Sequence, residues 1–103
     1  MIYLIELLLP LYDNNKKALA TEVFEEVRRE LVEKFGGVTA FLRAPAEGVW
    51  KEGGGAVTRD EIVIFEVMSE QLNREWWSGY REELEKRFEQ EQLIIRASQV
   101  EQL

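Results

Sequence analysis

The chain contains neither cysteine nor histidine. Without cysteine it has no disulfide framework and no thiolate nucleophile. Without histidine it lacks the usual general base near neutral pH, the central residue of a serine triad and the commonest ligand of transition metals. We therefore assign no catalytic residue and expect no metal site and no cofactor.

Basic residues and long hydrophobic runs are also scarce. Thirteen Lys and Arg residues face twenty Asp and Glu residues, which gives a net charge of −7. Such a chain repels phosphate backbones and anionic membranes, so we expect neither nucleic acid nor a membrane as a partner. The run Met1–Pro10 is apolar, but Glu6 interrupts it and no basic segment precedes it, unlike a signal peptide. No segment is long enough to cross a bilayer, so we expect a cytoplasmic protein.

The 103 residues are enough for one domain with one core, and we predict a single domain over residues 1–103. Two segments, Ile2–Leu9 and Asp60–Met68, are rich in β-branched and other apolar residues and predict strands. Both are apolar on both faces, which is typical of the middle of a sheet. Each is interrupted by one glutamate, Glu6 in the first strand and Glu66 in the second.

Two amphipathic helices are predicted from apolar residues at helical spacing. The first is expected to start at the capping residues Asp13–Asn15 and to end near Phe35, because Gly36-Gly37 follows. The second is expected to start at Ser69 as N-cap and to run to about Gln90.

Two further strands are predicted at Val38–Arg43 and Gln92–Val100. Between the second and third strands, Ala46–Arg59 contains a glycine-rich turn and is expected to form an extended hairpin with Trp50 near its tip. This hairpin leads into the strand that contains Glu66.

An internal repeat relates the two helices. A constant offset places one apolar stripe on the other: Leu19, Val23, Phe24, Val27, Leu31 and Phe35 fall on Leu72, Trp76, Trp77, Tyr80, Leu84 and Phe88. The same offset places Arg43-Ala44 on Arg96-Ala97. Two strand–helix–strand halves in tandem form the ferredoxin-like βαββαβ motif, an α+β fold. We predict a four-stranded antiparallel sheet with the first and third strands in the centre and both helices on one face.

The alternation of side chains assigns a role to each face of the sheet. The face under the helices is predicted to be purely apolar: Tyr3, Ile5, Leu7, Val38, Ala40, Leu42, Val63, Phe65, Val67, Leu93 and Ile95. The opposite face, which we call the open face, also carries many apolar residues: Leu4, Leu8, Phe41, Ile62, Ile64, Met68 and Ile94. This is too much apolar surface to leave in water, so we expect a homodimer that packs through the open face.

Four charged residues share the open face. We predict a row with Glu6 and Glu66 in the middle and Arg43 and Arg96 at the edges. Two interpretations are open. The charges are ion pairs buried at a dimer interface, where they fix the register. Alternatively, they line a cavity that binds a polar ligand, and a crowded carboxylate there acts as an acid or a base. Trp50 would then be either a contact with the partner subunit or a lid.

The order of elements and the apolar open face resemble the ferredoxin-like dimeric α/β-barrel proteins over nearly the whole chain. More narrowly, Gly37-Val-Thr39, Gly48-Val-Trp50 and Glu61 resemble a small bacterial family with no assigned function. The superfamily includes cofactor-free monooxygenases, isomerases and decarboxylases, and also proteins that only bind. Many of these enzymes use histidine, which this chain lacks. The candidate ligand-binding residues are Glu6, Thr39, Arg43, Trp50, Glu66 and Arg96.

Two functions agree with these observations. The first is a homodimer that binds a small ligand or a partner through the open face without catalysis. The second is a small cofactor-independent enzyme, monooxygenase-like or isomerase-like, in which Glu66 or Glu6 is the base and Arg43 or Arg96 orients an anionic substrate.

Overall fold

The computed structural model describes residues 1–43 and 62–103, and the predicted hairpin at 46–59 with Trp50 lies outside them. The described residues follow the predicted βαββαβ order. The elements are β1 (Ile2–Pro10), α1 (Thr21–Phe35), β2 (Thr39–Arg43), β3 (Ile62–Ser69), α2 (Arg74–Arg87) and β4 (Ile94–Val100). Neither of these two helices is long and apolar enough to cross a membrane.

The sheet has the strand order β2-β3-β1-β4, and all neighbouring strands are antiparallel. The two strands that are apolar on both faces, β1 and β3, therefore lie side by side in the centre. The predicted ferredoxin-like arrangement is confirmed.

The core lies between the sheet and the two helices. In β1, alternate residues are buried, which gives Ile5, Leu7 and Leu9 exposures of 1% or less. They pack with the rest of the core: Val27, Leu31, Phe65, Val67, Trp77, Tyr80, Leu84, Phe88 and Leu93. Burial of each Leu- or Phe-sized side chain contributes about 1.5–3 kcal/mol. This layer stabilises the fold and leaves the open face available for another role.

The first helix begins later than predicted. Asp13 does not cap it: its Oδ1 atom accepts hydrogen bonds from the backbone N–H groups of Asn15 and Lys17, at 2.8 and 2.9 Å. These bonds close a turn, and α1 starts only at Thr21. Aspartate side chains bind nearby backbone groups in turns as readily as at helix ends, so its presence alone did not fix the start of the helix.

The second helix also begins later than predicted. Ser69 is the last residue of β3, and its hydroxyl donates to the carbonyl oxygen of Gln71 at 2.7 Å. The N-cap is Asn73, whose Oδ1 atom accepts a hydrogen bond from the backbone N–H of Trp76 at 3.0 Å. The prediction that Ser69 caps the helix is therefore wrong, because the side chain of Asn73 caps it instead.

Candidate functional site

Four of the predicted site residues come together across the open face. Glu6 lies at the centre of β1, with Glu66 of β3 opposite it on one side and Arg96 of β4 opposite it on the other. On the far side of Glu66, the residue opposite in β2 is Thr39. We call Thr39, Glu66, Glu6 and Arg96 the polar row. It crosses all four strands in one line.

Arg43 does not belong to the polar row, contrary to the prediction. It lies opposite Ile62, four residues along β2 from Thr39, a distance of about 13 Å in an extended strand. The repeat made Arg43 and Arg96 equivalent in sequence. However, the offset that relates Arg43 to Arg96 does not relate Glu6 to Glu66. The two arginines therefore do not lie opposite the two glutamates in the same way. Trp50 lies outside the described residues, so its predicted role stays a prediction.

Glu6 and Glu66 have different electrostatic environments. The Nε–H group of Arg96 donates to Oε1 of Glu6 at 3.0 Å, and only 19% of the Glu6 side chain is exposed. Among the side chains that the structure describes, Glu66 has no cationic partner. Partial burial raises the pKa of Glu66 above its usual value, and the neighbouring Glu6 carboxyl raises this pKa further. Glu66 is therefore a better proton acceptor than an ordinary surface glutamate.

The apolar residues around the polar row are unevenly exposed. Ile64 is only 1% exposed, although it lies on the open face. Met68 and Ile94 are 53% and 54% exposed. A polar row with exposed apolar side chains on both sides has the composition of a binding surface, in which apolar walls surround a few polar groups.

The Glu66→Gln variant is expected to be more stable than the wild type at pH 7, by about 0.2–1 kcal/mol, because it removes a like-charge pair between facing strands. The pKa of Glu66 is raised in the folded state, so the wild type gains stability as pH falls through that value. The difference between the two proteins should therefore shrink on acidification. Urea denaturation between pH 7 and about pH 4 measures it, with the exposed Glu33→Gln as control. A variant that is less stable at pH 7 would contradict the effect.

A second polar cluster, which was not predicted from the sequence, joins the two helices. Arg87 binds both carboxylate oxygens of Glu30, at 2.7 and 2.9 Å, and also binds Glu83 at 2.7 Å. The hydroxyl of Tyr80 donates to Glu30 at 2.8 Å. Arg87 holds the pKa of Glu30 below its usual value, whereas burial and Glu30 raise the pKa of Tyr80. The spacing of Glu83 and Arg87 was visible in the sequence, but the contact with Glu30 depends on helix packing. This cluster connects α1 to α2.

A cleft of about 510 Å³ lies between Asn14–Asn15 and the end of α2. Its walls are mainly carboxylates and amides, including Glu82, Glu85 and Glu89. Within 1–43 and 62–103, no group of three or more His, Cys, Asp or Glu side chains is arranged to hold a metal ion. We take the polar row as the candidate site because it combines facing carboxylates with exposed apolar side chains.

No family model and no curated protein matches this chain. Among solved structures, the chain is similar to a phage SAM lyase in complex with S-methyl-5'-thioadenosine, with a TM-score of 0.61 and 18% sequence identity. The match covers 94% of this chain and 80% of that chain. At this identity the similarity shows the shared fold.

Proposed function

We propose that this chain binds a small ligand on the open face of its sheet, with the polar row as the centre of the site. The observation that supports this most directly is the pair of facing carboxylates, Glu6 and Glu66, between exposed apolar side chains. A surface used only for stability would gain from apolar residues at both positions, because buried charges contribute little net free energy.

We propose further that a second copy of the chain packs against the open face and encloses the ligand. Met68 and Ile94 would leave water on dimerisation, as would the partly exposed Leu4 and Leu8. Arg96 supports this arrangement because its side chain is 52% exposed while its Nε–H group is bound to Glu6. Within the described residues, its outer nitrogen atoms make no hydrogen bond, and in this proposal they bind the ligand or the partner subunit's carboxylates.

The phage enzyme of similar fold suggests the first ligands to test, S-methyl-5'-thioadenosine and S-adenosylmethionine. Both contain a flat adenine ring that suits apolar walls. The second also carries a sulfonium cation, which the carboxylates of the polar row would attract. The same comparison favours a second candidate function, a small cofactor-independent enzyme in which Glu66 takes a proton from the substrate. Its raised pKa supports that role.

Calorimetric titration of the purified chain with each of these two compounds tests the proposal. We expect binding by the wild type and at least about tenfold weaker binding by Glu66→Gln, because a charged contact contributes about 1.5–3 kcal/mol. Glu33→Gln removes an exposed carboxylate from α1 and should bind like the wild type. Sedimentation in the same buffer should show a dimer.

Three results separate the alternatives. Release of S-methyl-5'-thioadenosine from S-adenosylmethionine, followed by chromatography and abolished in Glu66→Gln, would favour the enzyme. Binding without release would favour a binding protein. If Glu66→Gln and Glu33→Gln respond identically to every ligand in a wider metabolite screen, and the chain is a monomer, the polar row is not the site.

A further inference from the structure

A second surface, separate from the centre of the open face, lies along the edge of the sheet. A groove of about 230 Å³ runs between β4 and α2. Its floor is apolar and includes Trp77 and Ile95, and its rim carries Arg74 and Arg81 of α2. The described residues that line it include no Asp or Glu. In a chain with a net charge of −7, this is a local concentration of positive charge.

Arg74 makes this charge concentration stronger. It is the first residue of α2, where the helix dipole disfavours a cation. The described part of the chain offers Arg74 no ion pair, whereas Arg81 binds Glu85 at 3.1 Å and Arg96 binds Glu6 at 3.0 Å. An arginine in an unfavourable position beside an apolar groove is suited to an anionic partner.

The strand beside the groove has an unpaired edge. Of the described strands, only β1 pairs with β4, so the outer backbone groups of Ile94–Val100 are free to bind another strand. Proteins usually protect such edges with proline, lysine or a bulge. The sequence Ile-Ile-Arg-Ala-Ser-Gln-Val has no proline or lysine, and its single charged side chain, Arg96, is held by Glu6.

We propose that an extended acidic peptide adds to β4 as an extra strand and places its side chains in this groove. Strand addition takes its affinity from backbone hydrogen bonds and its specificity from alternate side chains. A groove of about 230 Å³ is smaller than the roughly 300–1,000 Å³ of typical small-molecule sites, so it fits one or two side chains.

The spacing of the arginines matches such a peptide. Arg74 and Arg81 are seven residues apart on α2, about 10 Å along the helix axis. Two side chains four residues apart in a strand point the same way and are about 13 Å apart. When an apolar residue of the peptide occupies the groove, acidic residues two positions before it and two positions after it therefore lie near Arg74 and Arg81.

Pairing of β4 with β4 of a second copy would bring two arginine-lined grooves together, which charge repulsion disfavours.

The test uses a blocked heptapeptide with a central leucine, two glutamates on each side and a threonine at each end. Its binding to the 103-residue chain is followed by the amide chemical shifts of the chain. We expect shifts concentrated in Ile94–Val100 and at least about tenfold weaker binding by Arg74→Glu, because a charge-assisted contact is lost and reversed. Arg74 is exposed, and a glutamate there suits the helix dipole, so the variant should fold. Arg29→Glu, an equal charge change on α1, should bind like the wild type.

Two modified peptides test the strand geometry. In an added strand, every second N–H group of the peptide faces β4 and the others face away. N-methylation of the groups that face β4 should abolish binding, and N-methylation of the groups that face away should be tolerated. A peptide with lysine in place of glutamate should not bind. Equal effects of the two N-methylated peptides, binding of the lysine peptide, shifts outside β4 and α2, or self-association through β4 without peptide binding would each overturn the proposal.

Discussion

Replacing Phe88 with alanine is expected to lower the free energy of unfolding by about 3–5 kcal/mol. Phe88 is 0% exposed at the end of α2, and its ring meets Phe24 of α1 edge to face, with the centroids 5.2 Å apart. The truncation removes this aromatic contact between the two helices and leaves a cavity over the sheet. Domains of this size are stable by about 5–15 kcal/mol, so much of the total would be lost. Urea denaturation at pH 7 measures the change.

Two variants are controls for this prediction. Phe88→Leu keeps most of the buried volume and should cost much less than the alanine variant. Val32→Ala removes an apolar side chain from α1 that is 44% exposed, and it should change stability by less than about 0.5 kcal/mol. If Phe88→Ala costs no more than Val32→Ala, Phe88 is not part of the core.

The periodicity of the sequence was enough to predict the fold. Burial of alternate residues in β1 follows from the alternation of side chains, and the repeat of the helical stripe gave the βαββαβ order. The starts of the helices were not predictable in the same way. Asp13 and Ser69 both have side chains that cap helices, but each makes a hydrogen bond within a turn instead. That choice depends on where the strands place the chain.

The candidate site was predicted less completely than the fold. Alternation within β1 and β3 placed Glu6 and Glu66 on one face, and their direct opposition follows from the register of the two strands. The register of β2 could not be taken from the repeat, which is why Thr39 occupies the place expected for Arg43. The higher pKa of Glu66 depends on partial burial and on its distance from a neighbouring carboxyl, and the sequence gives neither quantity.

Replacing Arg87 with methionine is expected to destabilise the fold by about 1–2 kcal/mol at pH 7, because Glu30 loses both of its bonds to the guanidinium group. The loss should be smaller than for a fully buried pair, since 37% of the Glu30 side chain is exposed and solvent screens the interaction. Methionine keeps much of the apolar volume, so the change reports mainly on the charge. Glu25→Gln, which disrupts the exposed pair with Arg28, is the matched control and should cost less than about 0.5 kcal/mol.

The stabilisation by Arg87 is expected to disappear in acid. Arg87 holds the pKa of Glu30 below its unfolded value, so the contribution is complete above that unfolded value and is lost as pH falls through the lower folded value. A double-mutant cycle of Arg87→Met with Glu30→Gln should give a coupling energy of about 0.5–2 kcal/mol at pH 7. The coupling should approach zero once Glu30 is protonated in the folded state. A coupling that stays constant as pH falls would show that packing, and not charge, joins the two helices here.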